Sequence, residues 1–264
     1  MKDNFQITAT LKQDYEYVKA LGYEVLGIFL CGSQNYGLDC EVSDIDTKCI
    51  VLPSFNKLWR NQNTSRVITR PHGQITVKDI RLMTECLRKQ NLNFLEILFT
   101  EHKIINPKYA ELFQPILDMA GEIATINDFK AISCVCGMAK KKYSDFSSID
   151  LSAEKACKSL YHIARLEEYL EKYTQHKPFE ECLISNKREE IVGYKTRYLA
   201  PDFSDTEIEN MRQIAFSKFE HIQHIKEDYY ASNVCVIDIS AEKRLIKYME
   251  EILKLALQEE FNGR

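Results

Sequence analysis

The stretch Leu30-Cys31-Gly32-Ser33-Gln34-Asn35-Tyr36-Gly37-Leu38, followed by Ser43-Asp44-Ile45-Asp46, joins a Gly-Ser turn to two carboxylates separated by one residue. The apolar run Val25 to Cys31 ahead of it reads as a buried strand. Gly32-Ser33 then opens a turn whose backbone N–H groups can face an anion, as they do at helix starts, and the Ser33 hydroxyl adds a donor. A second apolar run spans Ile45 to Leu52, and alternation along a strand puts Asp44 and Asp46 on one face. Two bare carboxylates there repel each other, so ionising both favours a cation between them. Hard oxygen donors at this spacing suit Mg²⁺ or Mn²⁺ carrying the phosphates of a nucleotide.

These residues resemble the signature of the polymerase-β-type nucleotidyltransferase superfamily: Gly-Ser, a spacer, then Asp-x-Asp. Tyr36-Gly37 inside the spacer and Ser43 before the first Asp are most similar to predicted nucleotidyltransferases that include an RNA-ligase-associated, RNA-repair group. The resemblance runs on through Lys78-Asp79-Ile80-Arg81, through Asn91 to Leu98 with Phe94-Leu95-Glu96, and through Lys158 to Arg165. It implies transfer of an NMP from an NTP to an acceptor hydroxyl with release of pyrophosphate, and an RNA end as acceptor. It also implies a third carboxylate on a neighbouring strand that completes a two-metal site. Asp79, at the end of the third predicted strand, is the candidate for that ligand and equally an N-cap for the helix that starts at Ile80. The middle of that strand carries Thr76, where a carboxylate would point more directly at the metals. Glu96 falls in an otherwise apolar helix, with its role open.

The expected metal and catalytic set is therefore Asp44, Asp46 and Asp79, with Gly32, Ser33 and Tyr36 on the nucleotide. Lys158, His162 and Arg165 fall at i, i+4 and i+7 of one helix and form a clamp for the triphosphate or the acceptor, or else a surface stripe paired with Glu154, Glu167 and Glu168. Two rival readings stand beside RNA modification. One is NMP transfer to a protein hydroxyl, as in antitoxin-type members of the superfamily. The other is a nucleotide-binding regulator without turnover.

Composition bounds these readings. The chain has 264 residues, 45% of them hydrophobic, enough for one large core or two modest ones. No apolar stretch reaches the length of a membrane span, and Met1-Lys2-Asp3-Asn4 lacks the build of a signal peptide, so a cytoplasmic protein is expected. Nine cysteines, an odd number in apolar surroundings, read as reduced thiols, Cys134-x-Cys136 included. His221-x-x-His224 shares a helix face without further ligands nearby in sequence. A net charge of −4 argues against broad nucleic-acid binding, yet no acidic residue lies between Asp46 and Asp79, while Lys48, Lys57, Arg60, Arg66, Arg70 and Lys78 do. That segment reads as an exposed basic loop or as a route for a polyanion.

The fold class expected is α+β: a polymerase-β-like domain over residues 1–121 and an all-helical domain over 127–264, with the active site in the cleft between them. Leu11, Tyr15, Val18 and Leu21 mark a leading helix, and strands follow at Val25–Cys31, Asp46–Leu52 and Gln74–Lys78. Helices are expected at Ile80–Gln90 and Phe94–Phe99, from Asp128 through Lys142, and from Leu151 to Tyr173 capped by Asp150. A long helix after a Ser204/Glu207 capping box and one more over 240–260 complete the prediction.

Overall fold

A computed structural model describes residues 3–148 and 150–262. The chain divides into two compact units: residues 3–35, 43–127 and 237–262 form the first, and 36–42 with 128–236 the second.

The first unit opens with α1 (Asn4–Ala20), whose start is fixed by the Asp3 carboxylate accepting from Gln6 N at 2.7 Å. β1 (Glu24–Cys31), β2 (Asp46–Leu52), α2 (Phe55–Trp59), β3 (Ser65–Arg70) and β4 (Gly73–Asp79) follow. Then come α3 (Ile80–Arg88), α4 (Leu92–Phe99), β5 (Lys103–Ile105), α5 (Ala110–Asp118) and α6 (Ala120–Ala124). The sheet order is β3-β4-β2-β1-β5, with β2 and β4 parallel and the other pairs antiparallel. Strand β3 lies where the sequence suggested loop. It is an edge strand with Arg66 and Val67 exposed, so it lacks the apolar alternation that marks a half-buried strand.

Alternation sorts the sheet into two faces. Val25, Ile28, Leu30, Cys49, Val51, Ile75 and Val77 join Ile7, Leu11, Tyr15 and Val18 of α1 in one cluster. Each such fully buried side chain contributes roughly 1.5–3 kcal/mol. The opposite face carries Phe29, whose ring meets Phe113 of α5 at 5.9 Å, and the hydrophilic positions Asp46 and Lys48. The Asp14 carboxylate lies within the α1 face with no exposed surface. It accepts from Thr47 Oγ1 at 2.8 Å, meets His72 Nε2 at 3.0 Å and has Arg70 Nε at 3.7 Å. A buried charge survives only when paired and hydrogen-bonded, and here those bonds tie α1 to the start of β2 and to the β3–β4 turn.

In the second unit, α7 (Asp128–Ser144), α8 (Ala153–Thr174), α9 (Phe179–Leu183), α10 (Arg188–Thr196) and α11 (Asp205–Ser232) build an all-helical body. α8 is its axis, packed by α7, α9, α10 and α11. Its cap is Ser152, which accepts from Lys155 N; Asp150 lies outside the helix. Ser204 precedes α11 without a side-chain cap bond, and Glu207 turns instead to Arg197 at 3.0 Å. Segment 36–42 belongs to this unit because Arg188 donates to the carbonyls of Gly37 and Asp39, and Ser185 N donates to Tyr36 O at 3.0 Å.

The last helix, α12 (Ile239–Asn262), corrects the expected helical domain of residues 127–264. Its apolar face packs on α3, α5 and α6, so it belongs to the sheet-bearing unit. A helical pattern in sequence shows which face is buried but not against what. Among the described residues no helix is long and apolar enough to cross a membrane.

Asp14→Ala is expected to lower unfolding stability in urea by about 2–3 kcal/mol, since it removes hydrogen bonds with Thr47 and His72 and the ion pair with Arg70. A midpoint equal to the parent's would show that Asp14 is not the tie between α1 and the sheet.

Candidate active site

β1 ends at Cys31, which pairs in register with Asp46, the first residue of β2. Gly32 then turns with φ of +89°, a left-handed conformation that L side chains rarely adopt. Asp46 Oδ1 accepts from Gln74 N at 2.9 Å, while Oδ2 faces Gly32, 3.8 Å from where a Cβ would stand. One oxygen of Asp46 is thus fixed by the sheet and the other is presented to the Gly-Ser turn. At Gly73 any Cβ would come within 2.4 Å of Ile45 O and 3.1 Å of Asp46 Oδ1, so the β3–β4 turn approaches this carboxylate as closely as only glycine permits.

The turn after Gly32 is held from three sides. Asn35 N donates to Gly32 O at 3.0 Å, and the Asn35 amide donates to Leu30 O and accepts from Thr100 Oγ1, both at 2.9 Å. Gln34 Nε2 donates to Asp44 O at 2.7 Å, so the turn also fixes the backbone beside the first carboxylate. Asp44 is exposed and precedes β2 as extended chain; Asp46 is half-buried.

Gly32 N donates to Glu96 Oε2 at 3.3 Å, so a carboxylate takes that N–H in this structure. Ser33 carries no such bond among those described and lies half-exposed at the turn. Glu96, 3% exposed, also stands 3.8 Å from Lys48 Nζ, itself 5% exposed. Lys48 lies on the face of Asp46, two residues further along β2, donates to Asn93 O and covers the Phe94 ring at 4.5 Å. Sequence reasoning noted Glu96 without a role and counted Lys48 only as one cation among six. Burial pushes the neighbouring Cys31 thiol up to about 12, so it is no nucleophile here.

Asp79 does not join these groups. In the parallel β2–β4 register it pairs with Val51, five residues beyond Asp46, or about 16 Å along the strand. It also shares the alternation of Ile75 and Val77, which face α1, whereas the β4 positions on the face of Asp46 are Gln74, Thr76 and Lys78. Asp79 is fully buried, caps α3 by accepting from Arg81 N at 3.0 Å, and takes a bidentate bond from the Arg81 guanidinium at 2.9 and 2.8 Å. Of the two roles open in the sequence, the structure shows the cap, and the third-ligand assignment is corrected.

Asp44 and Asp46 nevertheless fit a hard divalent cation. They are oxygen donors without thiolate or imidazole, and Mg²⁺ is commonly held by one or two carboxylates with water and substrate phosphate supplying the rest. Among the described residues, three potential ligand side chains converge only at Glu167, Glu171 and His221. There Lys218 pairs with Glu167 at 2.8 Å and Lys187 with Glu171 at 3.0 Å, so the charge is already balanced by lysines.

In the helical unit the three expected clamp residues have different surroundings. Lys158 is exposed and pairs with Glu154 at 2.7 Å. Arg165, 6% exposed, stacks its guanidinium on the buried Tyr36 ring at 4.0 Å, so Tyr36 serves packing and a cation–π contact. His162 lies between them, edge-on to Tyr161 at 5.1 Å, and Lys195 covers the Tyr161 ring at 5.3 Å. Burial first, and then the charges of Arg165, Lys142, Lys195 and Lys158, hold His162 well below the ordinary histidine range.

A family model described as RlaP, RNA repair pathway DNA polymerase beta family, matches residues 9–195, more than half of the chain. The chain belongs to this family. It is a nucleotidyltransferase of the polymerase-β type, with the α+β unit and helical unit described above. None of the curated proteins matches it in sequence. Among solved structures, a nucleotidyltransferase-like protein from Exiguobacterium sibiricum 255-15 is similar at 12% identity and a TM-score of 0.30, over 84% of this chain and 74% of that one. A likeness this slight adds nothing to the argument.

Two predictions follow from the placement of Asp79 and His162. Asp79→Asn keeps a capping side chain but loses the charge pair with Arg81, so stability should fall by about 1–2 kcal/mol while nucleotidyl transfer by the folded protein is unchanged. A collapse of transfer with stability intact would return Asp79 to the catalytic set. His162 is depressed in the folded state, so the unfolded chain binds the extra proton first and stability must fall as pH drops below about 6.5. His162→Gln should flatten the urea midpoint between pH 6.5 and 5, and an unchanged slope there would place the acid sensitivity elsewhere.

Proposed function

We propose that the chain carries out metal-dependent transfer of an NMP from an NTP to a hydroxyl at an RNA end. The observation that supports this most is the divided carboxylate of Asp46, anchored through one oxygen to Gln74 N with the other toward Gly32, and with Asp44 two residues before it. Asp44 and Asp46 would hold Mg²⁺ or Mn²⁺, which when bound neutralises triphosphate charge and makes the attacking hydroxyl easier to ionise. Ser33, at the opening of the turn, is the proposed donor to a phosphate. In-line positioning, rather than covalent help from the protein, then carries the reaction. In the helical unit the proposed clamp for a phosphate of the substrate or acceptor is Lys158, His162 and Arg165, which share α8.

The RNA acceptor draws on the family's description as an RNA repair pathway. Nine free cysteines fit a reducing, cytoplasmic setting. One second reading gains from the structure. A nucleotide-binding regulator without turnover would tolerate the absence of a carboxylate on β4 beside Asp46, where Gln74 and Thr76 stand.

Label from each α-labelled NTP, offered to total RNA and to total protein with Mg²⁺ or EDTA, distinguishes these readings. Metal-dependent label in RNA is expected, and Asp44→Asn with Asp46→Asn should reduce it at least about 1000-fold, the equivalent of about 4 kcal/mol of lost charge stabilisation. Label in protein alone would replace the acceptor. Full activity in the double variant would overturn the site.

A further inference from the structure

The other end of β2 carries an unusual surface. Three residues after Leu52, α2 presents Phe55 and Trp59 at i, i+4, their rings stacked at 6.5 Å and 24°. Phe261 from α12 meets Phe55 at 5.3 Å and 60°. All three are exposed, and Trp59, the sole tryptophan of the chain, is 80% exposed. A large aromatic left this open gains nothing for the fold, and a patch of three marks a binding surface. The register places this patch about 20 Å along β2 from Asp46.

The surrounding charge selects its occupant. Phe55 and Trp59 lie within the segment between Asp46 and Asp79 that contains six cations and no acid, while Phe261 comes from α12. Arg60 directly follows Trp59, and Arg66 lies two residues after Thr64, whose hydroxyl holds Lys57 of α2 at 3.0 Å. Both arginines are exposed and neither enters an ion pair among those described. Acidic residues do stand behind the patch, around a cavity of about 410 Å³, but they are engaged. Glu24 and Glu259 share Lys108, and Glu260 accepts from Phe55 N at 2.7 Å, an interaction that fixes the platform itself. Exposed rings flanked by arginines are what single-stranded nucleic acid needs: π faces for bases and cations for the backbone.

We propose that Phe55, Trp59 and Phe261, flanked by Arg60 and Arg66, form a stacking platform for single-stranded RNA, separate from the transfer site on the same sheet. The proposal deepens the RNA-acceptor reading, yet its binding can be read without turnover.

Because Trp59 is the sole tryptophan, its emission reports the platform directly. Twelve-nucleotide oligo(A) and oligo(U), titrated into the full chain at low salt, should quench it saturably. A duplex of equal length should not, and added salt should weaken binding. Trp59→Leu, followed by anisotropy of labelled RNA, should weaken binding about tenfold, Trp59→Phe should restore most of it, and Arg60→Glu with Arg66→Glu should weaken it again. Since all these positions are exposed, the variants keep the fold, checked by circular dichroism. The Asp44→Asn, Asp46→Asn variant should bind RNA as the parent does, so loss of transfer with quenching retained counts for the platform whatever becomes of the active-site reading. RNA that binds without moving Trp59 emission, and equally to Trp59→Leu, overturns the platform and leaves the acceptor reading standing. Emission that shifts with protein concentration alone, alongside a dimer in sedimentation, overturns it in favour of a second copy of the chain.

Discussion

The buried pair Lys48–Glu96 governs how the acidic end of the sheet is organised. A lysine and a glutamate, each almost without exposed surface, sit 3.8 Å apart on the face of β2 that carries Asp46. Taking two ions out of water costs several kcal/mol apiece, and their attraction repays this only with further hydrogen bonds. Here Lys48 has Asn93 O and the Phe94 ring, and Glu96 has Gly32 N. The pair therefore links β2, α4 and the Gly32 turn into one arrangement and holds the turn at the height of Asp46. Its contribution is registry more than net stability, because an apolar pair of equal volume would cost less to bury.

A second constraint acts on the spacer between Gly32 and Asp44. Its first residues are fixed by the sheet-bearing unit through Asn35 and Gln34, and its middle is held in the helical unit by Arg188 and Ser185. The spacer length that marks the motif is thus the length needed to satisfy two cores in turn. Tyr36, the tyrosine that drew the resemblance to RNA-repair relatives, lies in that spacer with its ring under the Arg165 guanidinium.

How much was legible in the sequence follows from the range of the physics involved. Gly-Ser, Asp-x-Asp and the strands around them are local patterns, so β1, β2, β4 and the main helices lie within a few residues of where the sequence puts them. The role of Asp79 was not local. Both of its readings fit residues 78–81, and only the register of β4 against β2 decides that it is five residues and one face away from Asp46. Strand β3 was hidden because an edge strand needs no alternation, and the partner of α12 because an apolar helix face does not name what it covers. Gln34, Asn35 and Asp14 act through contacts with chain 10 to 65 residues distant, which no window of sequence displays.

The two ends of β2 carry opposite electrostatic characters, and this contrast bears on how one small unit can manage a polyanion. At the Asp46 end, Asp44, Asp46 and Glu96 outnumber Lys48, so phosphate is repelled unless a divalent cation accompanies it. At the Leu52 end the carboxylates are consumed by Lys108 and by Phe55 N, while Arg60 and Arg66 face solvent. A nucleic acid approaching a chain of net charge −4 gains little from its average field. On the reading proposed above it would gain from the local one, which would favour capture where the cations and aromatics are and would admit phosphate to the acidic end only with a divalent cation. Separating capture from chemistry along a single strand, as proposed, would let an acidic protein act on an acidic polymer without raising its overall charge.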